Sequence, residues 1–299
     1  MTLPVDVDGR RRLFARRPEL SFDDVPRHWF ADSVLATHLA NGINLLFPLG
    51  ERFFIRSVKK YADRVQDPEL REQVKGFMAQ EVRHGAEHER FFAALEAHGF
   101  EIRPFLQWYE RVAYDGLERR VPAALSLSVT VALEHFTAAL AARALKRDDI
   151  FARRTHPAMR DLLLWHASEE LEHKAVAFDV LRTVHPSHAL RVAGLVVATL
   201  TLFGFWAAAT SMLMRQEPPA VRRRALRDIW SKSHTKSAVA ASTRSVGGRG
   251  GGEGRTLVRV VGPHIARAML DYLRRDFHPS QRDDLHLAER YLERAFAVG

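Results

Sequence analysis

The 299-residue chain has no cysteine. That excludes disulfides, thiolate zinc sites, iron–sulfur clusters and cysteine nucleophiles. A G-x-S-x-G nucleophile elbow is also missing, so a serine hydrolase is not expected. No stretch alternates apolar and polar residues as a half-buried strand would. The first twenty residues, MTLPVDVDGRRRLFARRPEL, contain no apolar h-region, and no signal peptide is expected. The net charge is +9 with a pI near 10.2. No helix-turn-helix, zinc-finger or aromatic RNP pattern accompanies that charge, so nucleic acid is not an expected partner. The expected location is the cytoplasm.

What the chain does contain is helical periodicity. With 46% hydrophobic residues it can bury a large core. Residues 1–25 read as a basic N-terminal arm. A bundle of helices is expected over 26–188, its first helix running from Ala31 to Arg64 with a kink at Pro48 and Gly50. Asp67-Pro68 is an N-cap followed by proline at the first helical position. The second helix continues from there to His98, where Gly99 ends it. A short helix is expected over Pro104–Arg119, and long ones over Pro122–Lys146 and Pro157–Val184. Residues 189–236 would add an apolar and a basic helix packed on the bundle. A Gly/Ser-rich linker occupies 237–255. A C-terminal helical pair, Thr256–Arg275 and Ser280–Ala297, closes 256–299, broken by the sequence DFHPS.

Polar residues interrupt the apolar pattern at informative places. In WHASEELEHKAVAFD, His166, Glu170 and His173 fall at i, i+4 and i+7 on one helix face, among Trp165, Leu171, Val176 and Phe178. A buried charge is costly unless it is paired or binds a metal. QEVRHGAEHE supplies a second E-x-x-H pair, Glu81 and His84. Glu51 in FPLGERFF and Glu134 in VTVALEHFTAAL are single charges set in apolar runs. The chain order is Glu, E-x-x-H, Glu, E-x-x-H. Thirty residues separate Glu51 from Glu81 and thirty-six separate Glu134 from Glu170, as two helical hairpins would require. Four carboxylates and two imidazoles could thus converge in one four-helix core. Carboxylate oxygens can bridge two divalent ions, and imidazole suits iron, zinc and manganese. Two divalent metal ions, iron with manganese or zinc as alternatives, are the expected cofactors.

These motifs resemble the ferritin-like carboxylate di-metal superfamily. FPLGERFFIRSVKKY, QEVRHGAEHERFF, TVALEHFTAAL, WHASEELEHKAVAFDV and DFHP more closely resemble a bacterial family labelled predicted metal-dependent hydrolase. The resemblance implies an all-α, ferritin-like four-helix bundle with a dinuclear metal core plus additional C-terminal helices. It implies metal ligands Glu51, Glu81, His84, Glu134, Glu170 and His173. The H-x-x-x-E-x-x-H arrangement is similar to that of p-aminobenzoate N-oxygenases, which implies His166 as a further ligand. His88, seven residues after Glu81, makes a parallel case; otherwise either imidazole is a core or supporting histidine. His38 and His135 read as structural. A ligating histidine donates its other N–H to a carboxylate or carbonyl. Glu87, Glu169 and Glu172 are candidates for that role, with Glu87 and Glu172 alternatively solvated. Asp179 falls on roughly the opposite side of its helix.

Two reaction classes fit such a site. The ordered Glu and E-x-x-H set favours a di-iron, oxygen-activating oxidoreductase acting on a hydrophobic or aromatic small molecule. The alternative is a two-metal hydrolase of an ester or phosphate, attacking through a hydroxide shared by the metals. Metal storage without turnover is a third, non-catalytic reading.

Val192–Met214 carries no charge over 23 residues and is long enough to span a bilayer. Arg191 and Arg215 bracket it, so flanking charge selects no orientation. A short turn joins it to the preceding helix, which favours a helix folded back on the bundle or a peripheral membrane contact. The basic run from Arg215 to Lys236 would lie nearby.

Overall fold

The computed structural model describes residues 12–30, 33–146, 155–230 and 264–296. Ser33 accepts a hydrogen bond from the Ala36 amide and opens α1 (Val34–Lys59). Asp67 accepts from the Glu69 amide and Pro68 opens α2 (Pro68–Ala97). Gly99, at φ 83°, takes the left-handed conformation that lets the chain leave α2. Then follow α3 (Arg103–Glu110), a π-helical turn (Arg111–Leu117), α4 (Ala123–Lys146), α5 (Pro157–His173), α6 (Val176–Val184), α7 (His188–Arg215), α8 (Pro219–Trp230) and α9 (Leu285–Ala295). Residues 264–272 form a further helical stretch. The fold is all-α, and the one β feature among the described residues is an isolated bridge between Phe30 and Thr155.

Helices α1, α2, α4 and α5 surround a common centre: α1 packs on α2 and α4, and α5 packs on α4 and α2. One apolar cluster lies to one side, around Phe77, Phe136 and Val180. Another lies to the other side, around Leu45, Phe91 and Trp165. Outside this set, α7 lies across α1 and α4, while α9 packs on α5 and α4.

Three boundaries differ from the sequence expectation. Helix α1 runs through Pro48 without interruption and ends at Lys59. Proline removes one backbone hydrogen bond, and packing against α2 and α7 holds the helix on both sides of the gap. The expected helix over Pro157–Val184 stops at His173 and resumes as α6. At the break the Lys174 ammonium donates to the Arg282 carbonyl at 2.7 Å and to the Asp284 carboxylate, while α6 turns to pack on α2 and α4. The last helix begins at Leu285, after a 3₁₀ turn, Pro279–Gln281, that the His278 ring caps. Residues 1–11, the expected linker at 237–255 and the expected helix start at Thr256 lie outside the described residues.

Helices α4 and α7 are both long and apolar enough to cross a membrane by length and composition. Most of α4 is buried, whereas only 22% of the apolar window of α7 is. Gly194 lets α7 approach α4: a Cβ there would stand 2.1 Å from Ser128 Oγ and 2.6 Å from the Ser128 backbone.

Candidate metal centre

The four surrounding helices bring every member of the sequence-derived set to one place. Glu51 comes from α1, Glu81, His84 and His88 from α2, Glu134 from α4, and His166, Glu170 and His173 from α5. All eight are buried. His173 Nε2 lies 3.2 Å from Glu81 Oε1, 3.3 Å from Glu134 Oε2 and 3.6 Å from Glu170 Oε2. His84 Nδ1 lies 4.0 Å from Glu81 Oε1 and 3.9 Å from Glu170 Oε1. His166 Nε2 lies 2.8 Å from Glu170 Oε1 and 3.8 Å from Glu51 Oε1. Donor atoms about 2.1 Å from a small divalent ion stand about 3 Å apart along an octahedral edge; the separations here run from 2.8 to 4.0 Å, at that edge or somewhat wider.

Two sets of donors can be distinguished. Glu81, Glu134 and His173 could hold one ion, and His84 with His166 and Glu170, or with Glu51 and Glu81, another. Glu81 and Glu170 have donor atoms close to both. Gly85 makes the approach of α2 to α1 close enough, since a Cβ there would stand 3.0 Å from Glu51 Oε2.

The hydrogen bonding identifies the inward direction. Both carboxylate oxygens of Glu51, Glu81 and Glu134, together with His84 Nδ1 and His173 Nε2, are buried without a hydrogen-bond partner. Groups of this kind are costly, and here they all face one another. The outward ring nitrogens are bonded instead. His84 Nε2–H donates to Glu169 Oε2 at 3.0 Å, and His173 Nδ1–H donates to Gln80 Oε1 at 3.0 Å. Such outer partners fix the tautomer that turns a nitrogen lone pair toward a metal.

His88 belongs to this outer layer. Asn44 Nδ2 donates to the Ala40 carbonyl at 2.7 Å, so Asn44 Oδ1 is the acceptor facing His88 Nδ1 at 2.6 Å. His88 Nδ1 therefore donates, and its Nε2 accepts from His166 Nδ1–H at 2.6 Å. The relay turns His166 Nε2 toward Glu51 and Glu170, 2.8 Å from Glu170 Oε1. His88 stands behind His166, with both of its ring nitrogens engaged.

Electrostatics point the same way. Burial, and then the charges of Glu170 and Glu134, raise Glu51 well above the ordinary carboxylate range. Burial and Glu134 do the same to Glu81. Burial and Glu170 push Glu134 up to about 7. Burial would raise Glu170 too, but the adjoining His166 and His173 outweigh it and hold this carboxylate well below its usual value. Burial opposes charge on His173, and Glu134 and Glu170 overcome it, raising that imidazole well above 6.5. Burial and the neighbouring His166 lower His84 and His88 well below 6.5. Four buried carboxylates face too little positive charge, a deficit that bound cations would supply.

The outer layer contains residues that sequence reasoning missed. Arg16, from the segment preceding α1, donates to Glu169 Oε1 at 3.1 Å and to the two oxygens of Glu172 at 2.7 and 2.8 Å. Gln80 Nε2 also donates to Glu172 Oε2, at 2.8 Å. One guanidinium thus supports the two carboxylates that stand behind His84 and, through Gln80, His173. Thr137 donates to Glu170 Oε2. The side chain of Glu172 is shielded in this layer, whereas Glu87, which is buried, pairs with Arg90 and not with a site histidine. Asp179 pairs with Arg182 and His278, away from the cluster. His135 Nε2 donates to the Ala268 carbonyl at 2.8 Å, and His38 bonds to Glu217.

Replacing Arg16 with alanine should strip two buried carboxylates of their counter-charge, a loss of about 3 kcal/mol. It should also weaken metal binding about tenfold. Lysine should not restore it, because one ammonium cannot match the fork that spans Glu169 and Glu172. Titration of the metal-free variants with a divalent ion checks this; affinity equal to the wild type would remove Arg16 from the site.

His28, His38 and Glu217 form a separate group at the junction of α7 and α8. His38 Nε2 and His28 Nε2 lie 2.8 and 3.0 Å from Glu217 Oε1. Arg27 Nε reaches the same oxygen at 3.2 Å, so a guanidinium already balances this carboxylate.

A cavity of about 1160 Å³ opens beside the main cluster. Glu51, His166, Glu170 and Thr137 line its inner end. Phe47, Phe136, Leu200 and Phe203 are among its largely apolar walls.

No curated protein and no solved structure matches the chain. A family model does, over residues 14–283, a stretch that includes Arg16, both E-x-x-H pairs and the DFHP turn. The chain therefore belongs to the family described as predicted metal-dependent hydrolase.

Proposed function

We propose that this protein is a hydrolase with a dinuclear, ferritin-like metal core, acting on an ester whose acyl part is large and apolar. The carrying observation is the apolar cavity that ends on Glu51, His166 and Glu170, within a chain whose family is described as hydrolytic. The donor set suits two divalent ions. It contains carboxylates and imidazoles only, and its inward atoms lack other partners. Glu51, Glu81, His84, Glu134, Glu170, His166 and His173 would hold them. Divalent cations held there would supply Lewis-acid activation of water and of the scissile carbonyl.

The protein's own groups have distinct tasks. The Asn44–His88–His166 relay aims His166 Nε2 at the reacting end of the cavity. Thr137 fixes the rotation of Glu170 by donating to it. Phe47 packs against both His88 and His166, with ring centroids 4.6 and 4.7 Å away, and keeps bulk water off the relay. The cavity walls bind the apolar part of the substrate and place its polar end at the cluster.

Esterase activity on nitrophenyl esters of increasing chain length tests the proposal. The rate should need added divalent metal, rise with acyl length and vanish in Glu81→Gln.

The donor set favours a second reading. Four glutamates with paired E-x-x-H motifs also resemble the donor set of oxygen-activating di-iron sites. Iron-loaded protein that cleaves no ester but consumes oxygen with an apolar substrate would establish that reading and remove the first.

A further inference from the structure

The outward stripe of α7 has the wrong chemistry for water. Ala193, Val196, Leu200, Phe203, Ala207 and Ser211 recur every three or four residues and are exposed. Val196 is 53% and Leu200 70% accessible, and no charge appears between Arg191 and Arg215. A surface helix ordinarily places polar and charged residues on such a face. Leu200 and Phe203 also line the cavity, as does exposed Leu117 of the π-helical turn, so the cavity mouth lies within this apolar patch. Met269 lines the cavity from the 264–272 stretch, beside exposed Leu270.

Charge beside the stripe is predominantly positive: α8 carries four arginines and one acid, Asp228. From Arg191 to Arg227 the single acidic residue is Glu217, which is buried against Arg27, His28 and His38. Among the described residues, the exposed charges following the stripe on α7 and α8 are Arg215, Arg223, Arg224 and Arg227.

We infer that this face docks on an anionic lipid surface, and that a lipid acyl chain enters the cavity from the bilayer past Leu200 and Phe203. An apolar helix face flanked by an excess of arginines suits the boundary between headgroups and acyl chains. Helix α7 lies in that boundary and does not cross it, because it is fastened to the rest of the protein. Trp206 Nε1 donates to the Leu39 carbonyl at 2.8 Å, Arg191 to the Phe277 carbonyl at 3.3 Å, and Gly194 sits against Ser128. The identity of the ligand deepens the proposed hydrolysis, while the docking itself is independent of turnover.

Flotation of the full-length, metal-loaded protein with vesicles tests the docking. Phosphatidylglycerol vesicles should carry the protein, and pure phosphatidylcholine should carry it at least tenfold less. The triple variant R223Q/R224Q/R227Q should lose about tenfold on phosphatidylglycerol. Val196→Asp with Leu200→Asp should abolish flotation while leaving metal content and melting temperature unchanged. Phosphatidylglycerol with brominated acyl chains should quench a tryptophan emission component that Trp206→Phe removes. Failure to float on either vesicle would overturn the inference, as would flotation that survives the double aspartate variant. Resistance to alkaline carbonate would make the helix a membrane span. A dimer that the aspartates split, with no lipid binding by the wild type, would make the stripe an interface between copies. Protein that floats but cleaves no ester would sink the hydrolase reading and leave the docking face standing.

Discussion

Metal-free protein carrying Glu134→Gln is expected to melt well above the wild type at pH 8 and close to it at pH 4.5. The sign follows from the raised pKa of Glu134 in the folded state, about 7 against an ordinary 4.5. Below 4.5 the carboxyl is neutral in both folded and unfolded chains and nothing is lost. As pH rises from 4.5 to about 7, the unfolded chain gives up a proton that the folded chain keeps, so wild-type stability falls. Above about 7 the folded protein carries the full penalty of a charge in a dry core. A tenfold change in proton affinity is worth about 1.4 kcal/mol, so the penalty is about 3 kcal/mol. Glutamine has the same shape and no charge to bury, while His173 retains Glu170 as a partner. Buried His84 and His88, whose pKa values are lowered, titrate in wild type and variant alike, so their contribution largely drops out of the difference. The same substitution should lower the amount of metal bound, because cations are what these carboxylates lack. Thermal melts across pH in the presence of a chelator, with elemental analysis of metal-loaded protein, measure both. A wild type more stable than the variant at pH 8 without metal would mean that the cluster is a self-sufficient ion-pair network and not a metal site.

That opposition between stability and binding bears on what a sequence can reveal. Glu81–His84 and Glu170–His173 are legible because three-residue spacing within a helix fixes two side chains on one face, whatever the tertiary fold. Glu51 and Glu134 are legible because a lone carboxylate in an apolar run is too costly to bury without a cation or a hydrogen-bond donor. Gln80 and Asn44 carry a weaker signal. Gln80 directly precedes Glu81, and Asn44 lies seven residues before Glu51 on the same helix, but uncharged amides are ordinary in helices. Arg16 carries none: it meets Glu169 across 153 residues of chain, among several arginines that look alike in sequence. The break after His173 is also hidden, since no proline or glycine marks it and its lysine partners lie more than a hundred residues away. Charge-free length in α7 leaves span, burial and surface contact open, and only the packing of one face on α1 and α4 separates them.

Gly194→Val should be among the most destabilising single substitutions in the protein, yet it should spare the metal site. Gly194 is where α7 meets α4, and the nearest atoms are those of Ser128, including its backbone carbon and oxygen at 2.6 Å from the position of an added Cβ. A flexible side chain could swing away; a helix backbone cannot. Interiors are packed as densely as organic crystals, so the contact has to be relieved by moving α7 as a body. Overpacking at ordinary positions costs about 1–3 kcal/mol, and a clash with backbone at a helix crossing belongs at or above the top of that range. The displaced helix also breaks the Ser128 hydroxyl bond to the Leu190 carbonyl, 2.8 Å long, and opens the cavity wall formed by Leu200, Phe203 and Trp206. None of the eight residues at the cluster lies on α7. The variant should therefore bind metal with wild-type affinity while melting far lower and losing its preference for long acyl chains. Differential scanning calorimetry, metal titration and the chain-length series separate these effects. Loss of metal together with the fall in melting temperature would show that α7 supports the cluster and is not merely the wall of the chamber beside it.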